Sequence, residues 1–295
     1  MREYQIYADS SCDLPKSLLE KYNIKLIPFY ISFDHENYHK ENVDISNDEF
    51  YKRLCESNVF PSTSLPSVQD YLSEFRQTLK EGKDLICLCL TQKFSGSYQS
   101  AVNAQQILEE QFPDAKIYVV DSIQATAAFG LLLLQAVYMK EAGYSLDDLH
   151  DKLLKLRSTA RIMFTLDTLE YLKNGRRIGK VAALAGTMLD LKPLIQLKDT
   201  ELIPYSNVRG RRKALDKVFD MVQEYFKEHK EDPAKYDFCI ANATTMDDAI
   251  YLQEKLESFL GRKLLHPIFQ IGVTIGSYIG PGGIGICFVK RFDCI

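Results

Sequence analysis

The sequence has little of what marks several large classes of protein. Its net charge is only −4, so no overall positive charge favours a nucleic acid or a membrane surface as a partner. The seven cysteines form no CxxC pair, and several of them lie in apolar segments typical of strands. This pattern predicts reduced thiols in a cytoplasmic protein and argues against a disulfide framework.

No hydrophobic segment is long enough to span a bilayer. The most apolar run, Ala125 to Val137, is shorter than the ~20 residues of a transmembrane helix. We therefore expect a buried helix and no stable membrane insertion. Met1 to Tyr4 does not begin an apolar signal segment. His35 and His39 are four residues apart, but they lie in a polar loop with no evident third ligand, so we predict no metal site.

Three short patterns fail the tests for familiar catalytic or cofactor motifs. Gly280 to Gly285 matches GxGxxG, but a strand follows it where a dinucleotide site needs a helix. In Gly175 to Val181 the glycines are one residue too close for a phosphate loop, and Val181 stands where Ser or Thr would bind the metal. The segment around Ser95 lacks the glycine of a nucleophile elbow, and no histidine is evidently placed to activate that serine. We predict no cofactor.

Strands and helices alternate from the first residues to about Ala160, and this alternation predicts a parallel sheet with helices on both faces. The pattern then changes to that of an α+β domain. We expect two domains, 1–160 and 161–295. Four further predictions concern single elements: a strand over Ile24–Phe33, a helix over Val181–Leu189, a helix over Arg209–Lys230 and a strand over Leu265–Val273.

Two hydroxyl-rich segments are candidate anion sites. Ser95 follows the buried strand Leu85–Leu90 and precedes a helix that continues to about Gln111. In an open α/β sheet ligands bind at this position, and helix-start amides favour an anion there. Thr63 and Ser64 precede a second predicted helix start at Pro66. In the alternative interpretation these residues are ordinary helix caps and turn residues.

Basic residues cluster at two places in the second predicted domain. Arg176 and Arg177 lie in a glycine-containing turn, and Arg209 is the first of four basic residues in the first five positions of an expected helix. Cations at a helix start oppose its dipole, so folding does not explain them. They are either solvated surface charges or a contact surface for an acidic or phosphate-bearing partner.

The chain resembles the DegV family, the fatty-acid-binding proteins that serve as B subunits of bacterial fatty acid kinase. Each matching motif is weak alone, but together they occur in one order over nearly the whole chain. They are Asp9-Ser10-Ser11 with Asp13-Leu14-Pro15, Thr63 to Ser67, Phe94 to Ala101, Val120-Asp121-Ser122, Leu169 to Ile178, and Gly280-Pro281-Gly282.

The resemblance implies two α/β domains with a long-chain fatty acid, such as palmitate or stearate, between them. Thr63 and Ser95 match the positions whose hydroxyls hold the carboxylate. Arg177 and Arg209 match positions that engage the kinase catalytic subunit, so this chain would carry no catalysis itself. Candidate neighbours of the head group are Ser64, Gly96 and Tyr278.

The chain departs from the family pattern at two of these positions. Tyr278 stands where the family usually has histidine, and Leu65 replaces the usual glutamine. Tyrosine can donate a hydrogen bond but is not a cation near neutral pH. Two other functions remain open from the sequence: a lipid-sensing regulator without a kinase partner, and a serine-dependent enzyme that acts through Ser95 on a small polar substrate.

Overall fold

The computed structural model describes residues 2–57, 59–185 and 190–295. In chain order, the strands are β1 (Tyr4–Asp9), β2 (Lys25–Ile27), β3 (Tyr30–Ser32), β4 (His39–Lys40), β5 (Ser62–Ser64), β6 (Asp84–Cys89), β7 (Ile117–Asp121), β8 (Arg161–Thr165), β9 (Leu191–Lys198), β10 (Glu201–Arg209), β11 (Tyr236–Asn242), β12 (Phe269–Gln270) and β13 (Ile284–Lys290). The helices are α1 (Lys16–Lys21), α2 (Asn47–Glu56), α3 (Val68–Lys80), α4 (Ser97–Gln111), α5 (Thr126–Glu141), α6 (Leu146–Leu156), α7 (Glu170–Asn174), α8 (Arg211–His229), α9 (Met246–Leu260) and α10 (Val273–Ile279).

The first sheet has the strand order β2-β1-β6-β7, and its neighbouring strands are all parallel. Helices α3 and α4 pack on one face, while α5 and α6 pack on the other. Because both faces are covered, β6 is buried along its whole length, which is why it is a continuous apolar run in the sequence. The predicted α/β architecture is confirmed, and Ser95 lies between the end of β6 and the start of α4.

The second sheet has the strand order β10-β9-β8-β13-β11-β12 and is antiparallel except for the β11–β12 pair. Helices α8 and α9 cover one face of this sheet. The opposite face packs against α5, which also contacts β1 of the first sheet. The long apolar run around Leu131 is thus a helix between two sheets, and the predicted α+β second part is confirmed. The boundary at residue 160 stays a prediction.

A small antiparallel sheet with the order β4-β3-β5 carries Thr63. The sequence placed Thr63 and Ser64 beside a helix start, and this prediction is wrong. Helix α3 begins only at Val68, because Ser67 caps it in a reciprocal pair of hydrogen bonds with Asp70. Thr63 is instead held in β5, opposite Ile31.

The single strand predicted over Ile24–Phe33 is also wrong. The structure divides this segment into β2, which belongs to the first sheet, and β3, which belongs to the small sheet. Pro28 lies between them and has no N–H to donate to a sheet. The next amide, that of Phe29, donates to the Ser10 hydroxyl at 2.9 Å rather than to a strand.

The strand predicted over Leu265–Val273 is wrong over most of its length. Only Phe269–Gln270 is a strand, and Val273 begins helix α10. A distant residue supplies the acceptor for the start of this helix, because the Thr274 amide donates to Glu41 at 2.9 Å. The local sequence contains no sign of that contact. For Val181–Leu189, residues 179–184 form a 3₁₀ helix, and residues 186–189 lie outside the described residues.

Arg209 does not begin a helix. It is the last residue of β10, where it pairs with Leu191, and Gly210 then turns the chain at φ 90° before α8 begins at Arg211. Arg211 does oppose the helix dipole, but its guanidinium is 2.7 Å from Asp248 and donates to the Gly282 carbonyl at 2.7 Å. Folding therefore does use this cation, contrary to the expectation.

Across residues 2–57, 59–185 and 190–295, the structure contains no helix with the length and apolar character needed to cross a membrane. The seven cysteines are all free thiols, and five of them are buried. This agrees with the expectation that they do not form a disulfide framework.

Candidate functional site

A cavity lies between the two sheets of the described structure, and its lining residues come from both halves of the chain. Part of its wall is formed by strands of the second sheet. The wall residues from that sheet include Ile162, Phe164, Leu197, Leu202, Ala241 and Ile284.

Hydroxyl groups meet at one part of this wall. Thr63 reaches it from β5, and Tyr278 reaches it from α10. The Thr63 Oγ1 and Tyr278 OH atoms are 2.6 Å apart, although the two residues are 215 positions apart in the chain. Either hydroxyl can donate to the other, and the one that accepts keeps its own hydrogen for a ligand.

Ser95 lines the cavity from the loop between β6 and α4. Its Oγ accepts a hydrogen bond from the Ser97 amide at 3.1 Å. The capping alternative is therefore partly correct, because Ser95 satisfies an amide of the first helical turn. An accepting hydroxyl still has its hydrogen, so Ser95 can cap the helix and donate to a ligand at the same time.

A buried network behind Ser95 fixes the start of α4. The Asp9 carboxylate accepts hydrogen bonds from the Ser97 hydroxyl at 2.8 Å and from the Leu90 amide at 2.7 Å. Burial raises the pKa of Asp9 to about 6. The Tyr71 hydroxyl lies 2.7 Å from the same Ser97 oxygen. Ser97 thus links α4 to the end of β1, and this link sets the position of the loop that carries Ser95.

Arg177 alone provides a charged side chain among the residues that line the cavity. Its Nε and Nη2 atoms donate to the Phe94 carbonyl at 3.2 and 3.0 Å, and Nη1 donates to the Gly175 carbonyl at 2.6 Å. The guanidinium carbon is 4.9 Å from the centre of the Tyr278 ring. Arg177 therefore lies beside the Ser95 loop and against Tyr278, so the hydroxyl end of the cavity is also its positive end.

Gly175 is required by the close approach of Tyr278. A Cβ atom at Gly175 would lie 2.2 Å from Cδ1 of the Tyr278 ring, a separation that two carbon atoms cannot adopt. The glycine thus makes room for the aromatic ring, and α7 and α10 pack together at this point. The Tyr278 ring is accommodated here by a neighbouring residue without a side chain.

Of the other residues predicted near the head group, only some line the cavity. Gly96 lines it and packs against Leu65, whose Cδ2 atom is 3.3 Å from the position that a Cβ on Gly96 would occupy. Leu65 is itself 38% exposed, which places it at the mouth of the cavity. Ser64 is exposed and does not line the cavity. Arg209 is also exposed and lies outside the cavity.

Sequence reasoning missed two threonines in the cavity wall, Thr126 and Thr274. Thr126 begins α5 at φ 45°, a conformation that β-branched residues rarely adopt and that often occurs at binding sites. Its position within the apolar run Ala125 to Val137 offers no signal of this strained backbone. Thr274 directly follows the strand predicted over Leu265–Val273, so its place on α10 beside the cavity could not be recognised.

The described residues bring no imidazole to this cavity, since none of its lining residues is histidine. His35 and His39, the pair examined for metal binding, are respectively at φ 62° in a turn and in β4. Across the described ranges, no group of three or more His, Cys, Asp or Glu side chains has an arrangement suited to a metal ion.

Comparison with known proteins connects this geometry to a family. The family model of the DegV proteins matches residues 3–291. A DegV domain-containing protein of Clostridium perfringens is 31% identical over 293 residues, which are 98% of each chain. A stearic acid-binding protein of Eubacterium ventriosum has a similar structure, with a TM-score of 0.94, 37% identity, and coverage of 99% of this chain and 100% of the other.

A DegV family protein of Thermus thermophilus, described by its fatty acid binding, has a TM-score of 0.86 at 28% identity, with 98% of this chain and 100% of the other covered. These matches extend over both sheets and the cavity between them. The chain belongs to the DegV family.

Proposed function

We propose that this protein binds one long-chain fatty acid, with the acyl tail in the apolar cavity and the carboxylate at its hydroxyl end. The observation that carries this proposal is the division of one cavity into two parts. Its wall along the second sheet is apolar, while Thr63, Ser95, Tyr278 and Arg177 lie together at one end. The stearic acid-binding relative supports the same ligand class.

The expected energies agree with this division. Burial of a tail of about 16 carbons at ~0.8 kcal/mol per methylene provides on the order of 10 kcal/mol. A hydrogen bond to a charged group adds ~1.5–3 kcal/mol before desolvation. The tail would supply most of the affinity. The hydroxyls and Arg177 would determine the orientation of the fatty acid, with its carboxylate at the hydroxyl end of the cavity.

Mass spectrometry of a solvent extract of the purified protein tests the proposal directly. We expect palmitate, stearate or a similar acid at close to one per chain. Delipidated protein should bind the acid again and melt at a higher temperature, since a ligand that binds only the folded state stabilises it. If no fatty acid is extracted and none shifts the melting temperature, the protein has another function.

We further propose that the protein acts in the cytoplasm and presents the bound carboxylate to a kinase catalytic subunit, without catalysing the transfer itself. The two arginines predicted to engage that subunit have different surroundings. Arg177 faces the cavity, which favours a role at the head group, whereas Arg209 is exposed at the end of β10. Arg209 is therefore our candidate for docking.

A reconstituted assay with a fatty acid kinase catalytic subunit and ATP tests the partner. Arg209→Glu should reduce acyl phosphate formation strongly and leave bound lipid and melting temperature nearly unchanged. If wild-type protein binds fatty acid but no acyl phosphate forms, the result favours a lipid sensor that works without a kinase. A normal rate with Arg209→Glu would show that Arg209 is an ordinary surface charge.

A further inference from the structure

Two buried carboxylates lie behind the cavity wall, at the start of α10. Asp13 is 8% exposed and Glu41 is 1% exposed. A Cβ atom on Gly272 would be 2.5 Å from Asp13 Oδ1 and 2.7 Å from Glu41 Oε1. The distance between Asp13 Oδ1 and Glu41 Oε1 therefore cannot exceed the sum of these two distances. Two negative charges this close in a buried site repel each other, so one of them is expected to be neutral.

Hydrogen-bond donors are divided unequally between the two groups. Glu41 accepts from the Ser10 hydroxyl at 2.5 Å, from the Thr274 amide at 2.9 Å and from the Thr274 hydroxyl at 2.7 Å. Neither oxygen of Asp13 has a hydrogen-bond partner in the described structure, although the Thr126 hydroxyl and the Gly272 amide approach it. Three donors stabilise a negative charge on Glu41, which makes Asp13 the neutral member.

No cation compensates the pair within the described residues. The titratable groups that face it are Asp9 from β1, Cys12 from the adjoining 3₁₀ turn and Tyr51 from α2. Helices α5 and α10 contribute only the neutral Thr126 and Thr274, and no Lys, Arg or His of the described structure forms an ion pair with either carboxylate. Burial, followed by the charge of Glu41, raises the pKa of Asp13 well above its usual range.

We propose that Asp13 and Glu41 hold a single proton between them, and that this protonated pair positions α10, and with it Tyr278, against the N-terminal part of the fold. Glu41 accepts hydrogen bonds from the amide and the hydroxyl of Thr274. Tyr278 follows four residues later, on the same face of α10. The Tyr278 hydroxyl then meets Thr63 at 2.6 Å. The proposal of a shared proton is independent of the proposed function. The expected effect of Tyr278 placement on a bound carboxylate rests on the proposed fatty acid binding.

Asp13→Asn in the ligand-free protein tests the proton. Asparagine has the same shape without the titration, and like aspartate it tolerates the φ of 52° at this position. A raised folded pKa means that the stabilisation from protonated Asp13 is complete below the unfolded pKa of about 4 and is lost as pH rises through the folded pKa. The melting temperature of the variant should therefore rise relative to wild type from pH 5 to pH 9.

The underlying folding equilibrium constant should change by at most about tenfold per pH unit. Exposed Asp114→Asn controls for the general effect of removing one carboxylate. A difference between Asp13→Asn and wild type that does not change with pH would overturn the proposal. The proposal would also be overturned if sodium, potassium, magnesium or calcium chloride stabilised the wild type but not the variant. A cation bound between the two carboxylates would then take the place of the proton.

Infrared spectroscopy of the wild type provides a second readout that needs no variant. The carbonyl stretch of a buried protonated carboxyl should be present at neutral pH and disappear as the pH rises. Its absence at neutral pH would overturn the proposal even if Asp13→Asn fails to fold.

Thr274→Val tests the link to Tyr278, because it removes one bond to Glu41 without altering a titratable group. It should weaken fatty acid binding several-fold in wild type and have no further effect in a Tyr278→Phe background. An equal loss in both backgrounds would show that Thr274 does not act through Tyr278. If wild type binds no fatty acid at all, the proposed function fails while the pH and infrared results still test the shared proton.

Discussion

The hydroxyl end and the apolar wall of the cavity are assembled in different ways. Thr63, Ser95, Arg177 and Tyr278 come from four separate segments, and each is placed by contacts specific to it. A large part of the apolar wall comes from neighbouring strands of one sheet, where strand pairing aligns the side chains. Affinity and orientation are therefore separated in space, and substitutions at the two ends should have different consequences.

The largest effect is expected in the apolar wall. Leu202→Asp places an unpaired carboxylate where the acyl tail would pack, and its desolvation would cost several kcal/mol. Fatty acid affinity should fall by more than about 100-fold, as measured by displacement of a fluorescent fatty acid. Leu154→Asp, at an exposed site on α6, is the control and should bind normally. Normal binding by Leu202→Asp would mean that the tail lies elsewhere.

Removal of the positive charge at the hydroxyl end should have the next largest effect. Arg177→Gln should weaken fatty acid binding roughly 30-fold, since a charged hydrogen bond contributes ~1.5–3 kcal/mol. A fatty alcohol of equal length has no charge to lose and should bind as it does to wild type. Arg209→Gln, outside the cavity, is the matched control. Equal losses for acid and alcohol would show that Arg177 acts only on the shape of the loop.

A smaller effect should follow from crowding Tyr278. Gly175→Ala introduces a Cβ that would lie 2.2 Å from the ring and must displace it, so we expect about a tenfold loss in acid affinity. In a Tyr278→Ala background the same alanine should cost little, because there is no ring to displace. Isothermal titration of the four proteins gives the coupling between the two sites, expected at about 1 kcal/mol. Additive effects would contradict the close approach.

The smallest effect is expected for a single hydroxyl. Ser95→Ala should reduce fatty acid affinity only about threefold, because the lost hydrogen bond is largely offset by the desolvation it no longer requires and the tail contacts remain. Ser64→Ala, whose hydroxyl does not line the cavity, should change nothing. The useful measurement is the ratio of acid to alcohol affinity, which should fall for Ser95→Ala. If Ser64→Ala has the larger effect, the head group is held outside the cavity described above.

The elements that could be predicted have strong local signals. The run around Ile86 is buried on both faces, so its apolar pattern alone indicates a central strand. The elements that were predicted wrongly depend on distant partners. Helix α10 begins where Glu41 supplies an acceptor for Thr274, and no feature of the neighbouring residues reveals this.

The candidate site shows the same division. Ser95 and Thr63 were found because hydroxyls before a predicted helix start are a local pattern, and only Tyr278 came from the motif resemblance. The contact between Thr63 and Tyr278 across 215 residues could not be deduced. Nor could the difference between two arginines that look alike in sequence, one in a cavity wall and the other on the surface.

The α/β class, the central strand around Ile86, the buried helix after Ala125 and the family could all be predicted from the sequence. These features follow from hydrophobic periodicity and from short motifs, which are properties of neighbouring residues. Which hydroxyls meet, that Arg177 lies in the cavity wall, and that Asp13 and Glu41 face each other depend on tertiary packing. Hydrogen bonds and charge repulsion act over a few ångströms of space regardless of sequence separation, so the site emerges only when both sheets are packed around α5.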